Sequence, residues 1–150
     1  MLFAAMARIR RFSESLPMLL LRAREVAMGH FRPILNARGL TEQQWRALRA
    51  LDEQGELTAA GLAAECVILA PSMTRIIRRL AADGYVLVSR SKSDQRELRL
   101  RMSARGKRLV ERIGPEIEAA YAGIRERIEP SHMAALYREL ARFIARAEPS

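Results

Sequence analysis

The sequence predicts a mainly α-helical fold carrying one small β-hairpin, on three observations. Apolar residues recur at three- and four-residue spacing along most of the 150 residues. One stretch near residues 85–102 alternates instead, and is split by a polar tip. The charge is unevenly placed: twelve basic and four acidic residues fall between Ala70 and Arg112, so this segment of net +8 carries nearly all of the chain's net +9.

From Ser15 to Ala37 the positions Leu16, Leu19, Leu20, Ala23, Val26, Ala27, Phe31 and Ile34 mark an amphipathic helix. Pro33 forfeits a backbone hydrogen bond and is expected to kink or shorten it near Gly29. Arg38-Gly39 ends it. Thr41 with Gln44 three residues on is a capping-box start for a second helix, Glu42 to Glu53, with Trp45, Leu48 and Leu51 inward and Gly55 closing it. Thr58 is an N-cap for a short third helix, Ala59–Glu65, whose small residues admit a close neighbour. Cys66-Val67-Ile68-Leu69 forms the connecting turn. Pro71, at a first helical position, opens a fourth helix that stops at Asp83-Gly84. Its apolar face is Met73, Ile76, Ile77 and Leu80, while Ser72, Thr74, Arg75, Arg78 and Arg79 point elsewhere.

Tyr85–Val88 reads as a strand, Ser91–Gln95 as a polar tip, and Glu97–Met102 as the returning strand. Leu98, Leu100 and Met102 face in; Glu97, Arg99 and Arg101 face out. Ser103 caps a further helix from Ala104, expected to be interrupted at Gly114-Pro115 and to continue through Ile128. Pro130-Ser131 starts the last helix, His132 to Ala147, apolar at Met133, Leu136, Leu140, Phe143 and Ile144.

Two short helices joined by a brief turn and followed by a basic hairpin is the order of a winged helix-turn-helix, in which the second helix enters the major groove and the wing touches backbone or minor groove. Arginine dominates the basic residues, and its planar, permanently charged fork suits phosphate and guanine edges. The long flanking helices have apolar faces with no partner inside so small a lobe, and packing two chains together as a homodimer is the economical way to cover them. Two recognition helices would then sit about 34 Å apart, matching successive major grooves of a palindrome. The division expected is one domain over residues 1–150, with a lobe at 40–103 and dimerisation helices at 13–39 and 104–147.

Other classes fit less well. His30 and His132 are far apart and in no metal-ligand spacing, and neither a Gly-rich phosphate loop nor a nucleophile elbow is present, so no catalytic residue, metal or cofactor is expected. The charge lies on a helix-hairpin unit rather than along one helix face, against membrane-surface binding. A single cysteine, Cys66, favours a reducing cytoplasm. The N-terminal stretch has its basic residues after a short apolar patch, the reverse of a secretory signal, and no run approaches 18 apolar residues. The expected location is cytoplasmic, with the first dozen residues a loose extension and Met6 an alternative start.

The segments Leu40-Thr41-Glu42-Gln43-Gln44-Trp45-Arg46-Ala47-Leu48, Pro71-Ser72-Met73-Thr74-Arg75, Asp94-Gln95-Arg96 and Leu98 to Gly106 resemble the MarR family of transcriptional regulators, and the likeness spans Ser15 to Ala147. The stretch Ser15–Glu25 joined to the Leu-Thr-Glu-Gln-Gln-Trp-Arg segment resembles more narrowly the homoprotocatechuate-degradation (HpaR) branch of that family. The resemblance implies a dimeric repressor of an aromatic-catabolism operon. It implies that Arg96 enters the minor groove while Asp94 steadies the wing, that Ser72, Thr74 and Arg75 face bases or phosphates, and that Arg78 and Arg79 hold backbone. Arg90 and Lys92 complete the expected DNA set.

It also implies release from the palindromic operator by a phenolic carboxylate such as homoprotocatechuate or 4-hydroxyphenylacetate. Such a ligand needs a cation, a polar group and an aromatic or apolar wall, types that Arg22, Ser15, His30 and Trp45 supply. Each has a plain alternative: Trp45 as core, Arg22 as surface, His30 as packing. Two rival functions stay open. One is a thiol-based redox sensor acting through Cys66, whose apolar neighbours favour an inert thiol. The other is a sequence-neutral architectural DNA-binding protein.

Overall fold

The computed structural model describes residues 9–149, so Met6 and most of the expected N-terminal extension lie outside the described residues. After a 3₁₀ turn at Phe12–Glu14 the order is α1 (Leu16–Asn36), α2 (Glu42–Gln54), β1 (Glu56–Thr58), α3 (Ala59–Glu65), α4 (Ala70–Ala82), β2 (Val86–Arg90), β3 (Leu98–Met102), α5 (Ala104–Arg125) and α6 (Pro130–Ala147). The caps are those the sequence predicts. Thr41 and Gln44 form a full capping box, and Thr58 and Ser103 accept from the backbone N–H groups of Gly61 and Gly106.

One contiguous core joins α1, α2, α3, α4, the sheet and α5 through Leu35, Leu48, Leu51, Leu62, Met73, Leu80, Leu100 and Ile113, all almost fully buried. α1 packs against α5, and α3 against α4. Gly106 permits the closest approach: a Cβ there would lie 2.3 Å from the Tyr85 carbonyl oxygen, so α5 rests directly on the turn leaving α4.

Three sequence expectations are corrected. α5 is not interrupted at Gly114-Pro115: it runs unbroken from Ala104 to Arg125, because Ile113 and Ile117 are buried on either side and their packing outweighs the hydrogen bond that Pro115 forfeits. For the same reason α1 is not shortened at Gly29, and passes through Pro33 to Asn36 with Phe31 and Leu35 buried. The hairpin is part of a three-stranded antiparallel sheet of order β1-β3-β2, with Leu57 opposite Leu100 and Val88 opposite Leu100 on the other side. A three-residue strand has too few positions to show alternation; its pairing partner lies more than forty residues away in the chain.

α6 buries no residue, and Leu136, Phe143 and Ile144 stand exposed on it, as do Leu16, Leu19, Leu21 and Val26 on α1. No single helix among the described residues is long and apolar enough to cross a membrane.

Candidate nucleic-acid interface

α4 divides into two faces. Met73, Ile76, Ile77 and Leu80 are buried, whereas Thr74, Arg75, Arg78 and Arg79 are exposed and Ser72 is half-buried near the N-terminal end. Arg79 donates to Asp83 at 2.9 Å, one turn along, so part of its charge is spent within the helix. Arg75 and Arg78 have no carboxylate partner among the described residues. The Thr74 hydroxyl donates to the Ala70 carbonyl, which leaves its oxygen able to accept.

The wing is built by its own polar tip. Ser91 is buried, its N–H donating to Glu97 O and its Oγ within 2.9 Å of Ser93 Oγ. Arg90 donates to the Gln95 carbonyl at 2.6 Å and so braces the loop. Asp94 Oδ1 accepts from the Arg96 backbone N–H, an Asx turn. The Arg96 guanidinium is exposed with no carboxylate partner among the described residues, and Lys92 is exposed at the tip. A helix face and a hairpin tip thus present unpaired guanidinium groups, an arrangement that can bind a polyanion.

Beside this lobe lies a cleft of about 470 Å³, lined by Arg24, Met28 and Phe31 of α1, Glu42, Trp45, Arg46 and Arg49 of α2, and Ile117, Glu118 and Tyr121 of α5. The Phe31 and Tyr121 rings meet tilted at 55° with centroids 4.8 Å apart, and burial pushes the Tyr121 phenol up, keeping it a neutral hydroxyl. Glu42 accepts from Arg24 at 2.6 Å and from Arg32 at 3.0 Å; these bonds, Arg24's first, hold its carboxyl below the usual range. Arg49 pairs with Asp52. Arg46 instead donates to the backbone carbonyl of Cys66 at 2.8 Å. Guanidinium groups, a phenol and an aromatic wall can together hold an aromatic carboxylate.

Of the residues expected to touch a ligand, Trp45 lines this cleft, half-buried. Ser15, Arg22 and His30 do not line it. Ser15 precedes α1 as its N-cap residue, while Arg22 and His30 each lie two residues, about 200° around the helix, from Arg24 and Met28. Arg46, Arg49, Phe31 and Tyr121 were missed, although the four-residue spacings Trp45/Arg49 and Ile117/Tyr121 already place each pair on one face. Cys66 is buried, and that burial raises its thiol pKa.

Residues 40–98 match the model of a family described as "MarR family". The chain is 41% identical to the homoprotocatechuate degradative operon repressor of Escherichia coli over 88% of its own length and 89% of that protein's. Among solved structures it superposes on the transcriptional regulator PA4135 with a TM-score of 0.85 at 40% identity, covering 90% of this chain and 98% of that one. It superposes on NadR in complex with 4-hydroxyphenylacetate with a TM-score of 0.78 at 39% identity, covering 93% and 98%.

Proposed function

The chain belongs to the MarR family of transcriptional regulators, and from that premise we propose that it works as a homodimeric repressor of an aromatic-compound catabolic operon, released from a palindromic operator by a phenolic carboxylate. It is a DNA-binding regulator, not an enzyme. One observation carries the proposal: the exposed Arg75 and Arg78 of α4 and Arg96 of the wing belong to a lobe whose α2 also walls a cleft suited to an aromatic anion. The reading assigns bases and phosphates to Ser72, Thr74 and Arg75, the DNA backbone to Arg78 and Arg79, and the wing contacts to Arg90, Lys92 and Arg96, with Asp94 steadying the wing. The exposed apolar faces of α1 and α6 support dimerisation through residues 13–39 and 104–147, with 40–103 as the DNA lobe.

In the cleft, Trp45, Phe31 and Tyr121 are the wall and hydroxyl, and Arg46 and Arg49 the cations. Within one chain Ser15, Arg22 and His30 do not line it. The nature of the effector draws on two relatives, the E. coli repressor of the homoprotocatechuate operon and NadR bound to 4-hydroxyphenylacetate. A cytoplasmic location goes with this role.

Anisotropy titration against an inverted repeat selected from random DNA, with shuffled competitor, tests the regulator reading. Equal affinity for both would leave only an architectural protein. Calorimetry with homoprotocatechuate and with 4-hydroxyphenylacetate tests the effector, and absence of heat with both removes that class.

A further inference from the structure

Resting on the reading of α4 as the helix that enters the major groove, we propose that Val67 and Leu69, in the turn just ahead of it, set operator specificity by packing against thymine methyl groups. Val67 is 87% exposed and Leu69 80%, the highest values for large apolar side chains within residues 40–103. The exposed apolar faces of α1 and α6 have a second chain to cover them; these two lie instead on the DNA lobe. Ile68 between them is buried, so the turn is pinned to the core while its neighbours on either side stand out. Val67 N–H donates to Ala64 O, Ile68 N–H to Ala63 O and the Arg46 guanidinium to Cys66 O, and these bonds fix the segment between α3 and α4. The two apolar groups are therefore presented on a rigid mount.

Each side chain also breaks the local rule for its position. Val67 stands at φ +52°, in the left-handed region that normally takes glycine and crowds a β-branched side chain. Leu69 is the N-cap of α4 and gives that helix no side-chain acceptor, where serine, threonine or aspartate would. Glycine at the first site and a hydroxyl at the second would steady the turn, yet the chain carries two exposed apolar groups. Local violations of this kind gather at functional sites. Their place says what they meet. α4 starts at Ala70, directly after Leu69, and the N-terminal residues of a recognition helix reach base edges. Among its hydrogen-bonding atoms the major groove displays one apolar group, the C5-methyl of thymine. A methyl packed on valine or leucine selects thymine over cytosine, which lacks it, with no hydrogen bond involved. Arg75 suits a guanine edge, so Val67 and Leu69 add a different base to the same half-site.

The test uses the full chain and an inverted repeat selected from random DNA, with each thymine of one half-site replaced in turn by deoxyuridine, which removes the methyl and keeps every hydrogen-bonding atom. Wild type is expected to lose about fourfold in affinity at each contacted thymine, the worth of one buried methyl. Val67→Gly, Leu69→Ser and the double variant should unfold at higher urea, since each change suits the backbone better. The double variant nevertheless binds the repeat about as weakly as wild type binds its deoxyuridine form and is indifferent to the replacement. Its binding to shuffled DNA, where phosphate charge dominates, stays within about twofold of wild type. Weaker reading of the operator by a more stable protein is a result that a merely structural turn does not give. The proposal is overturned if wild type is indifferent to deoxyuridine at every thymine, a measurement that needs no variant, or if the double variant keeps the wild-type losses. Should wild type prefer no inverted repeat over shuffled DNA, the regulator reading fails and the methyl contact with it. A clear preference that survives every replacement removes the methyl contact alone.

Discussion

Asp94 and Arg96 meet through the backbone, not through their charges: Asp94 Oδ1 accepts from the Arg96 N–H at 2.9 Å, and the guanidinium is left outside the pair. The aspartate thus shapes the tip, and the arginine keeps its whole charge for a partner.

The two wing variants should therefore separate. Arg96→Ala weakens operator binding and lowers the log-log salt slope by about 0.9, the value for one phosphate contact. Asp94→Ala also weakens operator binding, but removes no cation and leaves that slope undiminished. Anisotropy titrations between low and moderate salt distinguish them, and a slope unchanged by Arg96→Ala would dismiss the wing contact.

On α4 the arginines differ in what else they hold. Arg75 has no carboxylate partner among the described residues, while Arg79 is bonded to Asp83. Arg75→Ala should cost about 1–3 kcal/mol of operator affinity and relax base preference at one position, the scale of a base-edge contact. Arg79→Ala should cost less and act alike on all sequences. A binding-site selection on each variant reads the difference.

Gly106→Ala would drive a Cβ to 2.3 Å from the Tyr85 carbonyl, a backbone atom that cannot swing aside. We expect a loss of about 1–3 kcal/mol, as for overpacked cores, measured by urea unfolding. Gly114→Ala, where a Cβ meets nothing within 4 Å, is the control and should not destabilise.

Glu42 ties α2 to α1 through Arg24 and Arg32, and its carboxyl is held below the usual 4.5. A depressed carboxyl contributes stability that is complete above its unfolded value and lost as pH falls through its folded one. Glu42→Gln should therefore lower the urea midpoint at pH 7 and flatten its fall below about pH 4.5. Because the pair is partly exposed, the effect is modest and shrinks in high salt. Identical acid limbs for variant and wild type would exclude this linkage.

Charging the exposed face of α6 tests assembly. Leu136→Glu with Phe143→Glu should give a monomer by light scattering, with far weaker binding to an inverted repeat, because neither side chain is buried within the chain itself.

The sequence by itself determined the helices, the caps at Thr41, Thr58 and Ser103, the two faces of α4 and the arginine-bearing wing, because each is a local pattern of period, cap or charge. Only the tertiary structure decided that α1 and α5 pass unbroken through Pro33 and Pro115, since buried neighbours from other helices outweigh one lost hydrogen bond. It alone paired Glu56–Thr58 with a strand more than forty residues away. The cleft, too, was hidden from sequence: Arg24, Trp45 and Tyr121 each sit on a readable stripe, but which stripes of three helices face one another is set by packing. Likewise Arg46 reads as one more surface cation until the fold lays it against the Cys66 carbonyl twenty residues on.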